Sequence, residues 1–514
     1  MSEKKQTAIN LIAKTLSYGT TMLISFFLTP YLVEKIGKEA YSFYPLANNF
    51  VNYMSVITIA LNSMASRFIT ISLTRGDKER ANNYFVSVFY SNILMSFALL
   101  IPMILIVVLL QWILDIPVEL VLSVKVLFSL VFISMIVNLV ANVFGVAVFS
   151  RNRLELQSIV DIATAIVRVV LYLILFACFK PSIVYVGVVS LAVALLYAAM
   201  QRYYTYKLLP FISFNYRHFD IKAVKEIISS GIWNSVNQIG VVLLSSIGLM
   251  LCNRLFGAAA GGLYSIALTI PQFMNGIVNM LSSVFLPGLT IKYAKGNKKD
   301  IIDHVHMAQD TIGLIVNIPI AVFMAVGTNF FRLWTPSVDA LELQKLSILA
   351  IGYLLVTGVA WPISNLNTVM NRVKVPAIVM LSTGILNIIM IYIMYRYTSL
   401  GMYSIPLSQL ILFVLNRGLF VGVYSAKCIG EKWNIFYPAI IKNLFCAFVI
   451  YIVSVFVNNL INPETWLSLI CECCLLGCVA LVFNGCVIFG PRKVILMCKE
   501  TQEKYFQKLR KKGN

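Results

Sequence analysis

Ionisable side chains recur inside long apolar stretches of this sequence, where charge is unfavourable. The basic ones are Lys14, Arg67, Arg168, Arg254 and Arg417. Such groups usually face the interior of a helix bundle or an aqueous cavity and mark a substrate or ion pathway. Because most of them are cations, they favour an anionic cargo. Asp161 lies seven residues before Arg168 and is either its counter-ion or a proton site.

Position divides the basic residues. Arg168 and Arg417 lie deep in apolar stretches, and their depth favours a functional role. Lys14, Arg67 and Arg254 lie near the ends of such stretches, where a long side chain can also reach the lipid headgroups. Both interpretations stay open for these three residues.

A second set of candidates consists of polar side chains that share helix faces. The amide-bearing members are Asn52, Asn234, Asn237, Gln238, Gln272 and Asn275. Residues three or four positions apart lie on one helix face. We expect these faces to line a water-filled cavity, although hydrogen bonding between packed helices explains single polar residues equally well.

The elements that carry these residues are membrane helices. Of the 514 residues, 59% are hydrophobic and 12% are charged, and the mean hydropathy is +0.84, which excludes an ordinary water-soluble enzyme. About 20 apolar residues cross a bilayer as a helix. The predicted spans are 9–31, 43–72, 84–113, 120–149, 155–178, 182–205, 227–255, 260–290, 308–331, 343–369, 375–396, 400–425, 436–460 and 465–489.

The net charge of +20 has an explanation that needs no nucleic acid. With the N-terminus inside, 28 of the 41 Lys and Arg residues fall on the cytoplasmic side and seven on the outer side. This asymmetry follows the positive-inside rule and predicts that both termini are cytoplasmic. The basic segment 491–514 is then a cytoplasmic tail.

An internal repeat appears when the sequence is shifted by 220 residues. Gly37 then falls on Gly257, and the segment Arg75–Lys78 falls on Lys295–Lys298. The polar faces of spans 1 and 2 fall on those of spans 7 and 8. Six spans per repeat predict two six-helix lobes related by a pseudo-twofold axis along the membrane normal.

Other chemistry finds little support. The sequence has no phosphate-binding loop or cofactor fingerprint, and no cofactor is expected. Three histidines, His218, His304 and His306, fall in predicted loops and are expected to be solvated, without forming a metal site. An enzyme of polysaccharide synthesis ranks low because the outer loops are short and contain no histidine. A structural scaffold is disfavoured by the polar repeat faces.

With its 6+6+2 span plan, the chain resembles the polysaccharide repeat-unit flippases of the MOP (multidrug/oligosaccharidyl-lipid/polysaccharide) exporter superfamily. The resemblance is carried by Ala8–Thr70, by the Arg75–Lys78 turn and its repeat, and by Trp361–Lys374, which reads WPISNLNTVMNRVK. It implies an all-α integral membrane protein of about 14 helices, lined by spans 1, 2, 7 and 8. The implied domains are 1–206, 207–428, an extra helix pair 429–490 and the tail 491–514.

The resemblance also implies a function. The protein would move an undecaprenyl-pyrophosphate-linked oligosaccharide, as in O-antigen or lipopolysaccharide synthesis, across a bacterial cytoplasmic membrane by alternating access. The five basic residues would bind the pyrophosphate, and the amides would contact sugars. Polymerase or assembly proteins are implied partners.

Two alternatives stay open within the superfamily. A cation-coupled multidrug exporter would need a functional acidic residue in its cavity, for which Asp161 is the candidate. A flippase for the peptidoglycan lipid precursor is the other alternative.

Overall fold

The computed structural model describes residues 3–491, which are helical apart from short connections. Fourteen helices within that range are long and apolar enough to span a membrane. We number them α1 to α14. Their bounds are Glu3–Ile36, Lys38–Thr74, Lys78–Ile113, Val118–Ser150, Leu154–Cys178, Val184–Leu208, Ile221–Phe256, Ala258–Thr290, Lys298–Trp334, Ala340–Val369, Lys374–Tyr397, Gly401–Ile429, Tyr437–Ile461 and Trp466–Phe489.

The sequence-based prediction of an all-α membrane protein with about 14 spans is therefore confirmed. Several helices extend beyond the predicted apolar core. The predicted span 308–331, for example, lies within the 37-residue helix α9. Helix α8 is interrupted at Leu268, between the helices Ala258–Ala267 and Thr269–Lys295, and the second of these continues beyond the membrane-spanning part to Lys295.

Internal contacts group the chain into two units. Within the described residues, unit 1 comprises 3–266 and Ala377–Ile393, and unit 2 comprises Ala267–Pro376 and 394–491. The predicted lobes 1–206 and 207–428 follow the repeat register instead, and they stay a prediction.

Glycines at matched repeat positions have the same backbone conformation. Gly37 and Gly257 have φ angles of 83° and 90°, and Gly76 and Gly296 have 80° and 76°. Positive φ is accessible to glycine without steric penalty. The first pair separates consecutive helices, α1 from α2 and α7 from α8, and the second pair forms the turns after α2 and α8. The repeat register therefore extends to the backbone.

The helices that follow these turns begin at equivalent capping residues. The Asp77 side chain accepts a hydrogen bond from the backbone N–H of Arg80, and the Asn297 side chain accepts one from the N–H of Lys299. Such caps satisfy N–H groups that have no partner inside the helix. They fix where α3 and α9 begin.

In unit 1, α2 packs on α3 and α7, α1 on α5, and α4 on α6. One apolar cluster joins α2, α3 and α7 to the α6–α7 connection. Its fully buried members include Leu61, Phe85, Val88, Leu209 and Ile227. The α6–α7 connection is fixed to α3 by further bonds, including one from the Tyr90 hydroxyl to the Phe214 carbonyl at 2.8 Å.

A close helix crossing in unit 1 involves a π-helical turn of α7, Val242–Ser246. Buried Asn387 on α11 donates hydrogen bonds to the carbonyls of Leu243 and Leu244, at 3.1 and 3.2 Å. A π-turn interrupts the regular helical bonding, and these bonds provide partners for carbonyls within it. Gly240 and Gly384 allow the two backbones to approach.

In unit 2, α9 is the central helix and packs on α8, α10, α13 and α14. The extra pair α13–α14 packs on α9 through apolar residues. An ion pair also joins α9 to α13, with 2.9 Å between Lys442 Nζ and an Asp310 oxygen. Lys442 also donates to the Ile488 carbonyl of α14 at 3.3 Å. One lysine thus connects three helices.

The expectation that all three histidines are solvated in loops is wrong for His304 and His306. Both lie within α9. His304 is 8% exposed, with its Nε2 3.0 Å from the Phe285 carbonyl, and His306 packs edge-on against Phe436. Helix α9 begins well before its apolar core, so a hydropathy boundary assigned these residues to a loop.

Candidate functional site

A polar cavity of about 570 Å³ lies within unit 1. Helices α1, α2, α4, α5 and α6 line it, each with at least one polar side chain. The ionisable or polar lining residues are Lys14, Ser17, Tyr18, Thr21, Tyr44, Asn48, Ser134, Asn138, Asp161, Thr164, Arg168, Ser190 and Tyr197. Its volume is typical of pockets that bind drug-sized ligands.

Three of the charged residues predicted from the sequence meet in this cavity. Lys14 comes from α1, and Asp161 and Arg168 come from α5. Because each residue adds about 1.5 Å along a helix, Asp161 and Arg168 lie about 10 Å apart along α5. Lys14 is close enough for a Coulomb interaction with Asp161. Neither cation forms an ion pair of 4.0 Å or less with any residue in the described range.

Asp161 is held by amide side chains. Gln157, one turn earlier on α5, donates a hydrogen bond to Asp161 Oδ1 at 2.9 Å. Gln201 of α6, which is fully buried, donates in turn to Gln157. These bonds stabilise the carboxylate without neutralising it. The lysine and the arginine therefore leave the cavity with an excess of positive charge.

Two amides of this cavity were missed by sequence reasoning. Asn48 of α2 and Asn138 of α4 line it. Asn138 lies four residues after Ser134, which also lines the cavity, so their spacing on one helix face is a signal that could have found it. Gln157 was also missed, although its four-residue spacing from Asp161 is a detectable signal.

The other predicted residues of unit 1 do not line this cavity. Arg67, Asn52 and Arg254 are exposed. Asn234 on α7 donates a hydrogen bond to Ser63 of α2 at 3.2 Å, which is a bond between packed helices. Asn237 and Gln238 are partly buried on the same helix.

In unit 2, two predicted residues meet around one tyrosine. Asn275 of α8 donates a hydrogen bond to the Tyr353 hydroxyl at 2.7 Å, and Arg417 of α12 interacts electrostatically with that residue. The Arg417 guanidinium carbon lies 4.0 Å from the centre of the Trp361 ring, within cation–π range. Arg417 lies in a second π-helical turn, Val414–Phe420. Gln272 of α8 is exposed.

Comparison with known proteins decides the family. The sequence profile described as "Polysaccharide biosynthesis protein" matches residues 8–290, more than half of the chain. The chain belongs to the polysaccharide biosynthesis protein family. The matched region contains Lys14, Asp161 and Arg168, and thus all three charged residues of the cavity.

A curated relative of the chain comes from Bacillus subtilis (strain 168). It is named "Uncharacterized membrane protein EpsK", and it is 30% identical over 463 residues, which cover 90% of this chain and 91% of the relative. The two proteins thus correspond over nearly their whole lengths.

Solved structures identify the fold of this polysaccharide biosynthesis protein. The lipid II flippase MurJ in an inward closed conformation is similar with a TM-score of 0.64 and 16% identity, over 95% of this chain and 100% of that one. An inward-facing multidrug resistance MATE transporter of the MOP superfamily gives 0.63 and 17%, over 80% and 94%. The protein therefore has the fold shared by this flippase and this transporter, and within the described residues it has fourteen helices long and apolar enough to span a membrane.

Proposed function

We propose that this transporter moves an undecaprenyl-pyrophosphate-linked oligosaccharide repeat unit from the inner to the outer leaflet, for surface polysaccharide biosynthesis. The unit 1 cavity would receive the pyrophosphate and the adjoining sugar, while the lipid tail stays in the bilayer. Family membership supports a role in polysaccharide synthesis, and the similarity in fold to MurJ, a lipid II flippase, supports a lipid-linked cargo.

The observation that carries the proposal is the excess positive charge of the cavity. Lys14 and Arg168 form no ion pair with the described residues, and the carboxylate in the lining, Asp161, already accepts a hydrogen bond from Gln157. A charged headgroup that crosses hydrocarbon loses its hydration, which costs several kcal/mol per ion even after relaxation. Two fixed cations in a water-filled cavity offset part of that cost, and the guanidinium can bind phosphate in a bidentate manner.

The uncharged lining suits a sugar. Asn48 and Asn138 present both donors and acceptors, and Ser17, Tyr18 and Thr21 add hydroxyls along one side of α1. Sugar hydroxyls need partners of both kinds. We assign these five residues to the sugar contacts, in place of the amides that the sequence suggested, which do not line this cavity.

Orientation follows from the charge bias of the loops. We place both termini in the cytoplasm and the protein in a bacterial cytoplasmic membrane. The cavity would then alternate between the two sides of the membrane, in the alternating-access manner of transporters built from repeats. Polymerase and assembly proteins of the same polysaccharide are the partners we propose.

A second candidate function has one specific observation in its favour. Asp161 faces the same cavity, and a carboxylate is what a cation-coupled drug exporter needs. The MATE likeness in fold is compatible with it. The two functions differ in which charge is indispensable, since a drug exporter would depend on Asp161 and a flippase on Arg168.

The decisive experiment measures lipid-linked oligosaccharides in a strain that lacks this protein. We expect a complete repeat unit to accumulate on the cytoplasmic leaflet and surface polysaccharide to disappear. Complementation with wild type and with Arg151→Gln should restore export, because Arg151 is exposed in the turn between α4 and α5 and does not line the cavity. Arg168→Gln should fail to restore export, although the protein still reaches the membrane.

The opposite pattern would reject the proposal. If the lipid-linked pool stays normal and Asp161→Asn rather than Arg168→Gln abolishes resistance to cationic drugs, the exporter becomes the better assignment. If instead undecaprenyl-linked peptidoglycan precursor accumulates, the fold and cavity serve the precursor flippase.

A further inference from the structure

The extra helix pair α13–α14 packs on α9 through an apolar contact region that we call the helix-pair interface. It comprises Ile318, Ala321, Val322 and Val326 of α9, Ala447 and Ile450 of α13, and Leu469, Leu476 and Ala480 of α14. These side chains are at most 7% exposed. The interface is therefore a strongly apolar environment.

Glu472 lies within this interface. It comes three residues after Leu469 and four before Leu476, so it shares their helix face. It is 1% exposed, and neither of its carboxylate oxygens has a hydrogen-bond partner among the residues that the structure describes. Buried charged groups are normally paired. A carboxyl in this condition needs a physical explanation.

The neighbouring helix presents oxygens at the same depth. α13 and α14 are antiparallel helices joined by the turn 462–465. By helical rise, Glu472 lies about 9 Å from the start of α14, and Ser454 lies about 10 Å from the end of α13. Ser454 is fully buried, and its hydroxyl oxygen has no partner within residues 3–491. The Oδ1 atom of Asn458, one turn away, is also buried and has no hydrogen-bond partner in this range.

Within the described part of α9, α13 and α14, no cation pairs with Glu472. Phe330 of α9 packs on Trp466 at the start of α14, with ring centres 6.0 Å apart, so exposed Arg332 lies about 12 Å along the axis from the level of Glu472. Asp310 lies deeper on α9 and is paired with Lys442 of α13. The other titratable side chains to consider are Cys446 and Tyr451 on α13, and Cys473 and Cys474, which follow Glu472 on α14.

These observations favour a protonated, neutral carboxyl at Glu472. A carboxylate that has no partner in an apolar environment takes up a proton instead of keeping its charge. We propose that Glu472 is a proton-binding site of the helix pair, neutral while α14 packs on α9 and α13. When the interface opens to water, the carboxyl would release its proton. Packing of the extra helix pair would thereby respond to pH independently of the cargo.

Infrared spectroscopy of the full-length protein in lipid nanodiscs tests the protonation state directly. Wild type at neutral pH is expected to show a carbonyl stretching band of a protonated carboxylic acid that Glu472→Gln lacks. Glu464→Gln is the matched control, because Glu464 is exposed in the turn before α14. It should keep the band. An identical band in wild type and Glu472→Gln would overturn the proposal. Loss of the wild-type band when sodium is added would also overturn it, because sodium would then replace the proton at this carboxyl.

Hydrogen–deuterium exchange tests the consequence. After correction for the intrinsic pH dependence of amide exchange, peptides of α14 should exchange faster in wild type as the pH rises. The same peptides should show no such dependence in Glu472→Gln, whereas Glu464→Gln should behave like wild type. Equal pH responses in all three proteins would contradict the proposal.

A second variant, Glu472→Met, tests the proposal if Glu472→Gln does not fold. A neutral, partnerless carboxyl can be replaced by an apolar side chain of similar size without loss. Glu472→Met should therefore insert and remain monodisperse, with pH-independent exchange in α14. A Glu472→Met protein that does not fold would show that the carboxylate is ionised and required, and the proposal would fall.

Discussion

The crossing of α7 and α11 within unit 1 gives a prediction whose size follows from distances. A methyl group added at Gly240 would lie 2.5 Å from the carbonyl carbon and oxygen of Met380. Carbon contacts are normally about 3.5–4.0 Å. The atoms in the way belong to the backbone, so no side-chain rotation removes the clash. Gly240→Ala therefore requires the two helices to separate by about 1 Å, judged from that contact distance.

Separation on this scale also affects the π-turn of α7. The Asn387 bonds to the carbonyls of Leu243 and Leu244 are 3.1 and 3.2 Å long, so a further separation of about 1 Å breaks both under the usual geometric limits. Two lost bonds contribute about 2 kcal/mol and the overpacking about 1–3 kcal/mol. The higher helix propensity of alanine offsets about 1 kcal/mol of this destabilisation. A net destabilisation of about 2–4 kcal/mol follows from these terms.

Thermal unfolding in detergent, followed by tryptophan fluorescence, measures the effect. Gly19→Ala is the control, because an added methyl at Gly19 in α1 meets no atom within 4 Å. We expect Gly240→Ala to lower the melting temperature and Gly19→Ala to leave it unchanged or raise it slightly. Equal melting temperatures for the two variants would refute the reasoning, because the close approach of the two backbones would then not constrain the protein.

Three further outcomes are expected from other contacts. Lys442→Met leaves Asp310 without its ion-pair partner and should destabilise the protein by about 2 kcal/mol in thermal unfolding, whereas a double variant that also removes the carboxylate should recover most of that loss. Arg417→Lys keeps the charge but loses the planar stacking on Trp361, and should cost about 1 kcal/mol by the same measurement; no loss would show the stacking to be unimportant. Asn253→Ala removes the two hydrogen bonds that join α7 to the backbone at the end of α3, with a destabilisation of about 2 kcal/mol, and unchanged unfolding would contradict it.

The fold class could be predicted because its cause is local. A run of about 20 apolar residues must form a helix in a bilayer, whatever its neighbours are. The fourteen spans could therefore be predicted from the sequence. The internal repeat could be predicted too, and the positive φ angles of Gly37 and Gly257 show the same correspondence in the backbone. The ends of helices were harder to predict from hydropathy. His304 was assigned to a loop because α9 begins well before its apolar core.

The candidate site was readable only in part. Lys14, Asp161 and Arg168 were selected as ionisable residues within predicted spans, and all three line the unit 1 cavity. Asn234 was selected because it shares a helix face with other polar residues, yet its side chain bonds to Ser63 on a packed helix. Depth in a span says that a polar group needs a partner, and it does not say which partner.

The sequence by itself therefore determined that the protein is a many-span membrane protein with several basic residues inside its spans. Only the tertiary structure decided which of these charges meet. The difference has a physical reason. Hydropathy along a helix depends on its own residues, whereas the environment of one side chain depends on how that helix is rotated and which helix faces it. Arg168 faces a cavity, Arg417 faces Trp361, and Glu472 lies among apolar side chains, although each of the three lies in a predicted membrane span.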